Sequence, residues 1–299
     1  MTTGADAALL VEERVELPVG EHVRRMLVVR SAGIRPGAPI VVALHGSNQT
    51  GDGLRRFAGG EFDRFAARDG AVLLYLDGYQ KHWNDARTSI DFAARLEGYD
   101  DVAFVLAAIG WAADRLGADA ERAFAVGFSN GGALVIRLAH EVPGRFAGAA
   151  TIGATVPAPE NFLLADARPG PLRMLYINGT SDPLVPYEGG VASLWGLKPR
   201  GLGLSAVQSA EHSAVQNGIV ADPVVRDLPA ADRDKTTVTV TDWALDGHQP
   251  VRLMTVHGGG HTVPGHARAP ILMGRTSHQF SAADEIAEFL EIAGTRSSH

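Results

Sequence analysis

The stretch Arg122-Ala-Phe-Ala-Val-Gly-Phe-Ser-Asn-Gly-Gly132, followed by Ala-Leu-Val-Ile-Arg-Leu-Ala-His, decides the fold expected of this sequence. It combines an apolar strand, a G-x-S-x-G turn centred on Ser129 and a helical segment. Such a turn is strained, and glycines two residues either side of the serine let the strand and helix backbones approach without a Cβ clash. The serine hydroxyl would then stand above a sheet at the positively polarised end of a helix. We therefore interpret Ser129 as a nucleophile.

The remaining sequence alternates short apolar runs, rich in β-branched residues, with segments of helical period. This alternation predicts the α/β class, with a mostly parallel central sheet and helices on both faces. The predicted strands are 25–30, 39–44, 71–76, 122–126, 147–152, 173–177, 236–244 and 251–256. The clearest predicted helices are 100–116, which has an apolar stripe and acidic residues at its start, and 280–292, which has Ser281 as its N-cap.

Two segments interrupt this alternation, a proline-containing loop at 156–171 and a region rich in Gly, Ser and Ala at 188–234. Either segment could cover a pocket, or both could be ordinary surface connections with one helix at 205–216. No internal repeat or long biased linker divides the chain. Residues 1–299 are therefore expected to form a single domain.

A serine nucleophile needs a general base, and His261 is the candidate. It follows the predicted strand 251–256 and three glycines, so it lies on a loop at the carboxyl end of a strand, where α/β sheets present catalytic groups. The alternative is a loop histidine that is solvated or bonded to backbone. His257 and His261 have the spacing of a helical zinc pair, but Gly258 to Gly260 do not favour a helix and no third ligand is evident. No metal site is therefore expected.

The acid that would orient this histidine is predicted to be Asp182, on the loop after the strand 173–177. The order Ser129, Asp182, His261 is the order of acid and base that follows a G-x-S-x-G serine. The carboxylate would accept the imidazole Nδ1–H and so fix its tautomer. The alternative is an Asp that only begins a turn before Pro183.

An oxyanion formed at the serine would need two N–H donors. One is the backbone N–H of Asn130, the residue after the nucleophile, and the other should come from an earlier strand end. The chain turns sharply after the strand 39–44, at His45-Gly46-Ser47, and the N–H of Ser47 is the candidate. The alternative is a glycine turn with no catalytic role. His45 itself is interpreted as structural rather than catalytic.

The composition excludes several classes of function. The formal charge of −7 is spread along the chain without a basic run, so a nucleic-acid partner is not expected, and no apolar run approaches the roughly 20 residues of a membrane span. Cysteine is absent, which excludes disulfides, thiol nucleophiles and iron–sulfur clusters. The N-terminal residues have no basic region and only a short apolar stretch, so a signal peptide is not expected. The expected location is cytoplasmic, or secreted if a leader was removed before Met1.

Six motifs together resemble the polyhydroxybutyrate depolymerase and feruloyl esterase type of α/β-hydrolase. They are LHGSNQTG at 44–51, WNDAR at 83–87, DDVAFV at 100–105, VGFSNGG at 126–132, NGTSDPLVPYEGG at 178–190 and GGGHTVPG at 258–265. The resemblance implies hydrolysis of carboxylic esters without a cofactor. It places Ser129, Asp182 and His261 at the triad positions. It also implies that Trp83 and Asn84 lie near the mouth of the active site, where they and His45 are candidate substrate contacts, although packing is the alternative for Trp83.

The expected partner is a small-molecule or oligomeric ester, such as a hydroxyalkanoate oligomer or a feruloyl ester. An acyltransferase or a peptidase with the same triad is an alternative, because pocket shape selects the acceptor and leaving group. A binding protein that kept the fold without the chemistry is another. The sequence does not indicate the acyl group, the alcohol or the oligomeric state.

Overall fold

A ten-stranded sheet dominates the fold in a computed structural model that describes residues 9–142, 144–194, 197–231 and 234–293. The strands are β1 (Leu10–Val19), β2 (His22–Ser31), β3 (Ile40–Leu44), β4 (Val72–Leu76), β5 (Ala123–Phe128), β6 (Gly148–Ile152), β7 (Met174–Gly179), β8 (Gly190–Leu194), β9 (Leu197–Gly203), β10 (Val224–Asp227), β11 (Thr237–Trp243) and β12 (Val251–His257). Their order in the sheet is β1-β2-β4-β3-β5-β6-β7-β12-β11-β10, and β8 and β9 form a separate antiparallel pair. The six strands from β4 to β12 are parallel, and antiparallel strands flank them on both sides.

Helices cover this sheet. They are α1 (Gly51–Phe57), α2 (Arg64–Ala67), α3 (Ala93–Leu96), α4 (Asp101–Leu116), α5 (Asn130–Glu141), α6 (Ala206–Gln216) and α7 (Ala282–Leu290). The sequence determines both ends of α4, because the Asp100 side chain accepts a hydrogen bond from the N–H of Ala103 and Gly117 ends the helix with a φ of 65°. Among the described residues, none of the helices has the length and apolar character needed to cross a membrane.

The core lies on both faces of the sheet. The five residues of β3 are all buried, but Ile40, Val42 and Leu44 pack into one hydrophobic cluster while Val41 and Ala43 pack into another. Alternate side chains of a strand point to opposite faces, so a strand that is apolar throughout must be covered on both sides. The prediction of a mostly parallel sheet between two layers of helices is confirmed.

The sequence predicted eight of the strands to within a few residues, together with the helices 100–116 and 280–292. The helix 205–216, which the sequence offered as one of two alternatives for its region, is also present. The sequence did not predict β1, β8, β9 or β10. In β1 only Val15 and Leu17 are buried, and all four residues of β10 are exposed, so neither strand has the apolar pattern of an inner strand. The helix 205–216 begins with a capping box, in which the side chains of Ser205 and Gln208 each accept a hydrogen bond from the other's backbone N–H.

Candidate active site

A cavity of about 390 Å³ opens at the carboxyl ends of the parallel strands. Its lining comes from the segments that follow these strands, including Ser47 after β3, Ser129 after β5, Leu184 after β7 and His261 after β12. Parts of both interrupting segments also line it, namely Pro157 from 156–171 and residues 200–203 from 188–234. This is the edge at which α/β sheets bind ligands, and the volume lies in the range of small-molecule sites.

Ser129 occupies the turn between β5 and α5. Its backbone has φ 55° and ψ −118°, a conformation that non-glycine residues rarely adopt, and its N–H donates to the carbonyl of Ile152 at 2.8 Å. The turn depends on Gly131, because a Cβ there would lie 2.1 Å from the carbonyl oxygen of Leu44. The Ser129 side chain is half-buried at the cavity, and no described residue forms a hydrogen bond with its hydroxyl.

Asp182 and His261 form a hydrogen-bonded pair. Nδ1 of His261 lies 2.7 Å from Oδ2 of Asp182, and the two side chains are 2% and 1% exposed. Gly153 makes room for the imidazole, since a Cβ at this position would lie 3.0 Å from two of its ring atoms. The ring of Phe128 packs against the imidazole with 4.8 Å between centroids. The histidine is thus held with Nδ1 on the carboxylate.

The N–H groups of Ser47 and Asn130 both belong to residues that line the cavity. Within the described residues, neither N–H donates to a protein acceptor, although both residues are bonded through their side chains. Gly46 brings the first of these segments close to the serine, because a Cβ at Gly46 would lie 3.3 Å from Cβ of Ser129. Two unused backbone donors therefore lie beside Ser129.

Comparison with known proteins assigns the family. The chain is 32% identical over 265 residues to the "putative esterase NocK" of Nocardia uniformis subsp. tsuyamanensis, an alignment that covers 85% of this chain and 74% of the relative. The chain belongs to the esterase-like α/β-hydrolase family. The fold is similar to that of an acetyl xylan esterase from Aspergillus awamori, with a TM-score of 0.64, 16% identity and coverage of 94% of this chain and 99% of the other. No family model matches the sequence.

This esterase-like chain holds Trp83 in its interior rather than at the cavity. The side chain is completely buried, its backbone N–H donates to Oδ1 of Asn130 at 2.9 Å, and its indole N–H donates to the carbonyl of His45 at 2.8 Å. The Asn130 amide also donates to the carboxylate of Asp85 at 2.6 Å. Trp83 therefore packs against the back of the site, and its interpretation as a substrate contact is not supported by its position.

Asn84 and His45 are likewise absent from the residues that line the cavity. Asn84 binds the carboxylate of Asp101 through its N–H at 2.7 Å and the carbonyl of Tyr99 through its side chain at 3.1 Å. These bonds tie Asn84 to Tyr99 and Asp101, away from the residues that line the cavity. The prediction of Asn84 as a substrate contact is therefore not supported by its position.

The imidazole of His45 is completely buried and both ring nitrogens are bonded. Nδ1 lies 2.7 Å from the carbonyl of Gly46, and Nε2 accepts the N–H of Gly78 at 2.9 Å. Burial lowers the pKa of His45 to about 4. The ring is therefore neutral near pH 7 and links the turn after β3 to the loop after β4, which agrees with a structural role and argues against substrate contact.

Several cavity residues had no signal in the sequence. Phe57, Phe128 and Met273 contribute apolar surface, and two arginines, Arg87 and Arg200, bring positive charge to the lining. The arginines come from different parts of the chain, the loop after β4 and the strand β9, so only the folded structure brings them to one cavity.

The described residues contain no group of three His, Asp or Glu side chains that could hold a metal ion. His257 is exposed, and its Nε2 lies 2.9 Å from Oγ1 of Thr239, while His261 is bonded to Asp182. The two histidines considered as a zinc pair thus have different partners.

Proposed function

We propose that this chain is a serine hydrolase of carboxylic esters that acts through an acyl-enzyme intermediate. The hydrogen-bonded pair of Asp182 and His261, at the same cavity as the strained Ser129, is the observation on which the proposal rests. Family membership supports it, because the relative is named as an esterase.

In the first half of the reaction, Oγ of Ser129 attacks the ester carbonyl carbon while Nε2 of His261 takes the hydroxyl proton. Asp182 stabilises the imidazolium that forms. The tetrahedral intermediate collapses, the bond to the alcohol oxygen breaks, and His261 gives its proton to that oxygen. In the second half, water attacks the acyl-enzyme with His261 as base, and the acid leaves as Ser129 recovers its proton. Serine and histidine are often farther apart without substrate than in the reacting complex.

The oxyanion of each tetrahedral intermediate would be bound by the N–H groups of Ser47 and Asn130. Both are free of protein acceptors in the described residues and both belong to the cavity lining, which supports this role. One such donor is typically worth about two to three powers of ten in rate, because the dipole is already aligned when charge develops.

The proposed substrate is an ester whose acyl or alcohol part fits a mostly apolar cavity of about 390 Å³. Hydroxyalkanoate and feruloyl esters are the finer candidates. A panel of acetyl, butyryl, 3-hydroxybutyryl and feruloyl esters, compared by kcat/KM, would rank them.

The test is Ser129→Ala, assayed with 4-nitrophenyl butyrate and a fluorophosphonate probe. We expect turnover to fall by about 10⁶-fold, which is the loss typical of removing a triad serine, and covalent labelling to disappear. Ser31→Ala is the control, because Ser31 ends β2 at the opposite edge of the sheet and should leave both signals unchanged. Turnover well above the uncatalysed rate in a folded Ser129→Ala variant would overturn the proposal.

A further inference from the structure

Arg200 brings to the cavity a positive charge that is not paired with a carboxylate in the part of the chain that the structure describes. It lies on β9, its side chain is half-buried, and it lines the same cavity as Ser129. One guanidinium nitrogen donates to Oγ of Ser47 at 3.1 Å, and the guanidinium carbon lies 4.6 Å from the ring centroid of Phe92. These contacts hold the side chain beside the turn that carries one of the proposed oxyanion donors.

No carboxylate of the described residues pairs with Arg200 within 4.0 Å. The other cavity arginine differs, because Arg87 donates to both carboxylate oxygens of Asp85 and is neutralised by it. Burial, and then the positive charge of Arg87, lower the pKa of Arg200 from its ordinary value, yet a guanidinium stays protonated near neutral pH. The carboxylates of Asp85 and Asp91 raise this pKa from a distance, but Asp85 is paired with Arg87, and no carboxylate of the described residues is in direct contact with the Arg200 guanidinium.

A cation that has lost part of its hydration without gaining an anion is costly, and proteins usually pair such groups. Phe92 offers only a cation–π contact, and the hydroxyl of Ser47 is neutral. The guanidinium still has N–H groups that these contacts do not use, in the planar fork that suits the two oxygens of a carboxylate. A single free arginine matches a monoanion better than a dianion.

We propose that Arg200 binds a free carboxylate of the substrate, so that this enzyme prefers esters carrying a negative charge a few atoms from the scissile bond. The inference rests on the proposed function and narrows its substrate class. A short chain of contacts from Arg200 to the serine supports this inference. Arg200 donates a hydrogen bond to Ser47, and the neighbouring Gly46 lies against Ser129. A carboxylate on Arg200 would thus hold the ester carbonyl near Ser129.

The experiment compares two matched pairs of esters. The first pair is 4-nitrophenyl hydrogen adipate and 4-nitrophenyl methyl adipate, which differ by a charge on the acyl side. The second is 4-butyryloxybenzoate and its methyl ester, which differ by a charge on the alcohol side. We expect the anionic member of at least one pair to have the higher kcat/KM. In Arg200→Met the anionic-to-neutral ratio should fall about 10- to 100-fold, the usual loss for a charge-assisted hydrogen bond.

Arg200→Met also removes the hydrogen bond to Ser47, but a shift of Ser47 would change kcat/KM for both esters of a pair. The anionic-to-neutral ratio of kcat/KM therefore reports charge recognition alone. Arg200→Lys should keep part of the preference, because it keeps the charge but loses the fork. Arg145→Met is the matched control; Arg145 is exposed beyond the far end of α5 and should leave the ratio unchanged. No preference in the wild type, or an unchanged ratio in Arg200→Met, would overturn the inference.

A binding measurement separates this inference from the proposed function. Calorimetric titration of the anionic ester from the pair that the wild type prefers into Ser129→Ala should show binding at least about 10-fold tighter than into the double variant with Arg200→Met. This readout needs no turnover. Equal binding to both variants refutes carboxylate recognition even if the enzyme is a serine esterase. Tighter binding to Ser129→Ala, with no turnover of any of the four esters by the wild type, refutes only the proposed function.

Discussion

Asp182 presents one carboxylate oxygen to His261 and the other to the main chain. Oδ2 lies 2.7 Å from Nδ1 of His261, while Oδ1 accepts the N–H groups of Leu184 and Val185 at 2.7 and 2.8 Å. Because two donors hold Oδ1, the carboxylate cannot rotate without losing both bonds. Nδ1 of the imidazole must then carry the proton, and Nε2 keeps the lone pair that a general base needs.

Asp182→Asn should therefore inactivate the enzyme without unfolding it. The two backbone donors would select the amide oxygen, so the amide NH₂ would face Nδ1 of His261 and force that nitrogen to accept. The proton would move to Nε2, and the imidazole could no longer take the Ser129 proton. In serine proteases the equivalent change costs about 10⁴-fold in kcat. We expect a loss of about this size with 4-nitrophenyl butyrate and an unchanged circular dichroism spectrum.

The control for this prediction is Asp119→Asn, which also removes one negative charge. Asp119 caps a short helical turn by accepting the N–H of Glu121, at the edge of the sheet opposite the cavity. Its kcat should stay within about twofold of the wild type, because surface substitutions of this kind rarely have large effects. Equal losses in both variants would mean that the change in net charge, and not the changed tautomer of His261, accounts for the effect of Asp182→Asn.

Gly131→Ala tests whether the close approach of α5 to β3 is needed. A Cβ at Gly131 would lie 2.1 Å from the carbonyl oxygen of Leu44, so strand and helix must separate and the N–H of Asn130 must move. Overpacking of this kind costs about 1–3 kcal/mol or more in the free energy of unfolding. We expect that loss in urea unfolding, together with a fall in kcat that exceeds the fall in the folded fraction.

Gly33→Ala provides the comparison, because a Cβ at Gly33 has no neighbour within 4 Å. Its stability should change by less than about 0.5 kcal/mol. If both variants were as stable and active as the wild type, the strained geometry of the serine turn would not depend on this contact.

The inner part of the fold was predictable from the sequence because burial on both faces leaves a strong pattern. The strands β3 and β5 are apolar throughout, and the G-x-S-x-G turn after β5 fixes what must follow. The edge strand β10 was not predictable, since its four residues are exposed and its pairing with β11 depends on the rest of the sheet. Local sequence determines an inner strand more strongly than an outer one.

The candidate site also has one part that the sequence predicted and another part that it did not. Ser129, Asp182 and His261 each follow a predicted strand, so parallel topology alone predicted that they would share one edge. Trp83 follows a strand too, but its burial depends on bonds to Asn130 and His45 that no local pattern shows. Arg200 reaches the cavity through β9, a strand that the sequence did not predict.

The buried imidazole of His45 should make the fold sensitive to mild acid. Its pKa falls from 6.5 to about 4 on folding because the ring loses water, whereas in the unfolded chain it returns to the ordinary value. Between these two values the unfolded state binds the extra proton, so the stabilisation is complete above pH 6.5 and is lost as the pH falls toward 4. The loss between about pH 7.5 and pH 5 should be about 2 kcal/mol from this residue alone.

His45→Gln removes the titrating group, so its free energy of unfolding should fall by about 2 kcal/mol less than that of the wild type over this pH range. His140 has its pKa lowered to about 4 by burial as well, but it is present in both proteins and cancels in the comparison. His266→Gln, which removes an imidazole that is 85% exposed, should keep the wild-type pH dependence. Urea unfolding at both pH values measures these differences. The same loss in His45→Gln as in the wild type would mean that the His45 imidazole becomes protonated without leaving its bonds to Gly46 and Gly78, so that the turn after β3 tolerates a charge.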